Sequence, residues 1–153
     1  MRGHRSAAWA GPIYLAASAL VKLFVPEPES DALNQALMGM EDVILSDLAL
    51  TEMASALGRR TREGRLTRAA SRRLYREAEN LATVCRRAEL TPPVHRLAER
   101  LLLTSREVRL RALDALHVAM ALDARAATLV TYDPRMRDAA VLQGVFVAPE
   151  TLT

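Results

Sequence analysis

Three carboxylates stand where an acidic side chain could do chemistry. Glu52 lies about one helical turn beyond the segment VILSD, Asp114 sits near the start of LDALHVAMAL, and Asp133 ends ATLVTYD. Taken singly, each has an ordinary structural reading. An acid in the first turn of a helix complements the macrodipole, and an Asp before Pro134 is a good N-cap. Asp114 resists that reading most, because its segment is apolar on nearly every face and an unpaired buried carboxylate is costly unless it is bonded, protonated or coordinated to a metal. Carboxylates that converge repel one another, and their pKa values rise unless a cation neutralises them. Oxygen-only donors select Mg2+ or Mn2+ over zinc, and His4, His95 and His117 have no zinc-site spacing.

His117 follows Asp114 by three residues, on the same side of a helix. It could serve as a general base, but a core histidine bonded to a carbonyl or a carboxylate is the more economical reading. Neither GxGxxG nor GxxxxGK[ST] occurs, so no glycine-rich phosphate loop is present, and without GxSxG nothing supports Ser18 as a nucleophile.

The net charge is +3, carried by one lysine, Lys22, and twenty arginines. Arginine forks bind carboxylates and phosphates bidentately, which suits an acidic partner or nucleic acid; a biased genome composition would give the same preference. Arg65, Arg68, Arg72 and Arg76 recur at helical spacing, preceded by Arg59, Arg60 and Arg62 across the Gly64 turn. That stripe is either a solvated face or a surface that tracks phosphates with a steep salt dependence.

The elements that must position these groups read as alternating strands and helices. Short apolar strands are expected at residues 12–17, 42–47 and 127–132, a weaker one at 88–91, and a last one at 145–149. Ser18 is expected to cap a first helix that Pro26 and Pro28 end, and Ser30 a second over 31–38. Further helices are expected at about 48–62, from Thr67 to about 86, from Pro92, at 113–124 and from Pro134 to Gly144. This order implies a parallel sheet with right-handed crossovers. Ligands in such sheets bind beyond the carboxyl ends of the strands, where strand order reverses.

The 153 residues suffice for one domain, over 12–153, with residues 1–11 as an N-terminal extension, either mobile or a misassigned start. No apolar run approaches the ~18 residues of a membrane span. Cys85, alone in the chain, reads as a half-buried free thiol in a reducing compartment, so a cytoplasmic location is expected.

Four stretches, IYLAASALVKLFVPEPES, VILSDLALTEMASAL, LRALDALHVAMAL and LVTYDPRM, resemble in order and spacing the motifs of PIN-domain ribonucleases, in particular the VapC-type toxins of bacterial toxin–antitoxin pairs. The resemblance runs from Ile13 to Pro149. It implies an α/β fold in which a five-stranded parallel sheet is flanked by helices as a PIN-like three-layer sandwich. It also implies a carboxylate cluster that holds Mg2+ or Mn2+ and cleaves RNA by metal-assisted phosphodiester hydrolysis. By position, Glu52, Asp114 and Asp133 match three of the family's acids, with Asp114 and Asp133 as direct ligands and Glu52 as a ligand or a holder of the attacking water. Ser18 and Thr131 match hydroxyls that usually bond the cluster. RNA is expected along the arginine-bearing surfaces, Arg65, Arg68, Arg72 and Arg76 among them. The resemblance further implies a homodimer and a VapB-type antitoxin whose C-terminal segment wraps the helices at 19–25 and 33–38, beside the early part of 48–62.

The family's remaining acid belongs two residues before Ser18, where this chain has Ala16. Losing even an outer-shell partner of a metal ligand typically costs about 10–100-fold in affinity or activity. The chain as written is therefore expected to bind metal weakly and to cleave RNA poorly or not at all. An exchange made to silence a toxic nuclease and a natural decay to a binding protein both account for Ala16. The competing class is accordingly a non-catalytic module that binds only antitoxin or RNA. A receiver-type signalling domain would need paired acids after the first strand and a lysine after the last, and neither is found.

Overall fold

Strand β1, Ile13–Leu15, is apolar at every position because both of its faces are covered. The side chains alternate: Tyr14 and Ala16 join one apolar cluster, Ile13 and Leu15 another. The structure, a computed structural model, describes residues 8–151. Its remaining elements are α1 (Ala17–Phe24), α2 (Ser30–Leu37), β2 (Val43–Ser46), α3 (Asp47–Arg62), α4 (Arg68–Val84), β3 (Arg86–Ala88), α5 (Pro92–Thr104), α6 (Ala112–Asp123), β4 (Thr128–Val130), α7 (Pro134–Leu142) and β5 (Phe146–Ala148).

The five strands are all parallel, in the order β3-β2-β1-β4-β5. Helices α1, α3 and α4 bury Leu20, Met53 and Ala78 against one face of the sheet; α5, α6 and α7 bury Ala98, Val118 and Ala140 against the other. The chain runs outward from β1 through β2 to β3, then returns to lay β4 on the opposite side of β1. Strand order thus reverses between β1 and β4, and the crevice at their carboxyl ends is where such a sheet presents ligands. This is the expected three-layer architecture.

Caps fix several helix starts. Ser46 Oγ accepts from the Ala49 N–H at 3.0 Å, Thr67 Oγ1 from Ala70 at 3.0 Å, and Thr91 Oγ1 from Val94 at 3.4 Å. Two expected caps are otherwise employed. Ser18 is the second residue of α1, whose N-cap is Ala16, and its hydroxyl serves the β4–α7 turn instead. Ser30 is the first residue of α2; its Oγ accepts from the Glu27 N–H at 2.9 Å and donates to the Val25 carbonyl at 3.3 Å.

The third strand lies earlier than the segment 88–91. It is Arg86–Ala88, paired Ile44 to Arg86 and Ser46 to Ala88, so α4 stops at Val84. This edge strand buries only Ala88, and an arginine pair gives no hydrophobic signal for a strand.

Of the expected N-terminal extension, residues 1–7 lie outside the described residues. Trp9 packs against the α1–α3–α4 cluster, and the Ala10 carbonyl accepts from Thr128 Oγ1 at 2.7 Å. No helix among the described residues is long and apolar enough to cross a membrane.

Candidate active site

Three groups lie around the carboxyl edge of the sheet. The first is the end of β4. Thr131 is wholly buried, and its Oγ1 lies 3.3 Å from Ser18 Oγ and accepts from the Asp133 N–H at 3.1 Å. Ser18 Oγ also accepts from the Tyr132 N–H at 2.9 Å. These two hydroxyls therefore hold the backbone that presents Asp133. Asp133 is the N-cap of α7 as expected, with Oδ1 accepting from the N–H groups of Arg135 (2.9 Å) and Met136 (3.4 Å).

Asp114 enters from the first turn of α6, only 6% exposed, and its Oδ2 accepts from the Arg111 N–H at 3.1 Å. Burial pushes its pKa up; the Arg111 N–H opposes the rise, the nearby charge of Asp133 adds to it, and Arg111 and His117 oppose it further. The remaining oxygens, Asp114 Oδ1 and Asp133 Oδ2, have no hydrogen-bond partner among the described residues.

Glu52, from the second turn of α3, is held by His117. His117 Nε2 hydrogen-bonds Glu52 Oε1, while Nδ1 lies 2.7 Å from the Tyr14 hydroxyl, itself 3.4 Å from Ser46 Oγ. The Tyr14 and His117 rings meet edge-on, centroids 5.9 Å apart. A neutral imidazole has one donor and one acceptor nitrogen, so it can bond the carboxylate through one and the phenol through the other. Burial raises the Tyr14 pKa strongly; the Ser46 hydrogen bond opposes this and the Glu52 charge adds to it. His117 is thus the bonded core histidine that its sequence position suggested.

Ala16 completes the crevice. It is wholly buried in the same apolar cluster as Tyr14 and Ala115. Its N–H donates to the Val130 carbonyl at 3.0 Å, and its own carbonyl accepts from Ala19 and Leu20, each at 3.1 Å. The position performs its backbone tasks without a polar side chain.

The donor set suits a hard divalent cation in part. Asp114 and Asp133 form an oxygen-only pair whose mutual repulsion a cation would relieve. The three-carboxylate ligand set expected from Glu52, Asp114 and Asp133 is not assembled: among the described residues no three His, Cys, Asp or Glu side chains are grouped so as to hold a metal ion. Glu52 is bonded to His117, and Ala16 contributes no oxygen.

The four arginines of the stripe are exposed, with Arg65 3.5 Å from Glu63. None of them lines the cleft of about 390 Å³ that leads to Glu52, whose walls come from α1, α3, Glu27 and Leu113. Sequence reasoning missed Tyr14 and Ser46. A polar-tipped residue inside an otherwise apolar strand, and a serine directly before a helix, were the signals available.

Residues 13–142 match the PIN domain family, so fold and sequence together define a PIN-domain protein. The chain is 42% identical over 137 residues to Ribonuclease VapC46 of Mycobacterium tuberculosis, covering 88% of this chain and 95% of that protein. Two solved structures share the fold. One is the Mycobacterium tuberculosis toxin VapC20, described as cleaving the sarcin–ricin loop (TM-score 0.68, 19% identity, 83% of this chain and 94% of that one). The other is VapBC2 from Rickettsia felis, bound to a DNA fragment from their promoter (TM-score 0.63, 14% identity, 88% and 96%). Within the PIN-domain family, the chain belongs to the VapC ribonucleases.

Proposed function

We propose that this chain is the toxin of a toxin–antitoxin pair, built on an endoribonuclease scaffold that needs Mg2+ or Mn2+, and that Ala16 leaves it a weak metal binder with little or no RNA cleavage. The observation that carries this reading is the Asp114–Asp133 pair at the β1–β4 crevice of a chain 42% identical to a VapC ribonuclease. Asp114 and Asp133 would hold the cation. When bound, it supplies the acidity that ionises an attacking water and the charge that stabilises the leaving oxygen.

The chain's own residues do the rest. Ser18 and Thr131 fix the turn that carries Asp133, and the Arg111 N–H holds one Asp114 oxygen so that the other faces the crevice. Glu52, 29% exposed and in the cleft wall, orients the attacking water, with His117 and Tyr14 behind it. RNA enters through the cleft on α3.

A VapB-type antitoxin fits a second surface. An apolar groove of about 460 Å³ is walled by Leu23 and Phe24 of α1, Leu37 and the adjacent Met38, and Leu81 and Val84 of α4. Met38 and Val84 are 77% and 79% exposed, so an apolar face of a partner helix would remove both from water. The groove's third wall is α4. Residues 12–153 act as one such domain, as a homodimer in the cytoplasm.

Restoring the carboxylate tests the nuclease reading. Ala16→Asp should give cleavage of structured RNAs that Mg2+ supports and chelator stops. Failure to cleave any of a broad RNA set would leave the second reading, a binding-only PIN protein. What favours that alternative is the closed hydrogen bonding of Glu52 to His117 and of Ala16 within the backbone.

A further inference from the structure

Among the described residues, one cation in the cleft has no anion. The walls carry Lys22, Arg59 and Arg60 together with Glu27 and Glu52. Lys22 Nζ is paired with Glu27 and with Glu29 (3.0 Å to the latter), and Arg60 Nη2 reaches Glu27 at 2.8 Å. Glu52 is bonded to His117. The guanidinium of Arg59, exposed to solvent, makes no ion pair or hydrogen bond among the described residues. The Ser55 hydroxyl, in the same wall, has no partner among them either.

Resting on the ribonuclease reading above, we propose that Arg59, with Ser55 beside it, is a backbone-phosphate subsite that sets the path of the RNA strand away from the scissile position. Glu52, Ser55 and Arg59 lie three, four and seven residues apart on α3, so they share one helix face. At a rise of about 1.5 Å per residue, Arg59 stands about 10 Å along α3 from Glu52. That span is about three nucleotides at the ~3.4 Å rise of a stacked strand. A guanidinium fork flanked by a hydroxyl is suited to the two unesterified oxygens of a phosphodiester. Across the cleft, Leu113 is 46% exposed, an apolar lip against which an unstacked base can rest. The subsite lies in the cleft that leads to Glu52, whereas Arg65, in the turn before α4, and Arg68, Arg72 and Arg76 on α4 do not line that cleft.

The test is fluorescence anisotropy of a labelled single-stranded RNA against KCl, in chelator so that no form cleaves it. Arg59→Ala should weaken binding several-fold and flatten the plot of log affinity against log salt by about 0.7, the share of one phosphate on a single strand. Arg59→Lys should keep the slope while losing part of the affinity, because charge remains and the fork does not. Arg68→Ala is the comparison; an equal change there means that any surface cation serves, and overturns the subsite. Arg59→Ala that binds RNA unchanged but loses an acidic peptide assigns the residue to a protein partner, and also overturns it. If neither the Ala16 chain nor Ala16→Asp binds RNA, the ribonuclease reading itself falls. RNA binding that ignores Arg59 removes the subsite alone.

Discussion

The imidazole of His117 bridges a strand and a helix: its Nδ1 lies 2.7 Å from the Tyr14 hydroxyl on β1, and its Nε2 meets the Glu52 carboxylate on α3. Its removal would leave the Tyr14 hydroxyl only the longer contact to Ser46 and the Glu52 carboxylate only solvent, beside a cavity. His117→Ala should therefore lose about 2–4 kcal/mol of stability, and Tyr14→Phe about 1–2 kcal/mol, since the phenyl ring still fills its site. Urea denaturation of the two variants checks both; a loss below about 0.5 kcal/mol for His117→Ala would show that the bridge carries no load.

Asp114 gives a pH dependence of definite sign. Its folded-state pKa is raised, chiefly by burial. A raised carboxylate pKa contributes stability that is complete below the ordinary carboxylate range and is lost as pH rises through the folded value. Asp114→Asn should thus melt at higher temperature than the parent at neutral pH without divalent metal, and the gap should close in acid. Added Mg2+ should stabilise the parent and not the variant. Thermal melts across pH, with and without metal, read all of this, and a parent that outlasts Asp114→Asn in chelator at pH 7 would contradict it.

Ala16 is wholly buried, so a new carboxylate there meets an apolar cluster. Ala16→Asp should lose about 2 kcal/mol in chelator, recover it with Mg2+, and bind the ion at least about 10-fold more tightly than the Ala16 chain. Titration calorimetry and paired melts measure the two effects.

The apolar groove is testable without touching the core. Met38→Glu and Val84→Glu alter exposed side chains, so stability should stay within about 0.5 kcal/mol. Binding of the cognate antitoxin should weaken by about 10-fold or more, as a desolvated charge enters the interface. Unchanged affinity in both would move the antitoxin elsewhere.

Much of this was readable from residue order because the signals were local. Apolar runs such as VILSD and ATLVTY gave buried strands, and Asp133 before Pro134 gave a cap that the structure keeps. What escaped was set by distant neighbours. Arg86 and Arg87 become a strand only because β2 offers an open edge, and Ser18 abandons its cap because Thr131, 113 residues away, brings the β4 end within reach. Glu52 is likewise claimed by His117, 65 residues on. Helical spacing singled out Arg65, Arg68, Arg72 and Arg76, while the cleft to Glu52 runs along α3, with Arg59 and Arg60 in its wall. Periodicity reports which residues share a face, and only the packing of layers decides what that face looks upon.

Because β4 docks beside β1 only after every other strand except β5 has been made, the crevice cannot form on a polypeptide that stops short of β4. A chain cut before Thr131 lacks the turn that carries Asp133, and so lacks the carboxylate pair with Asp114.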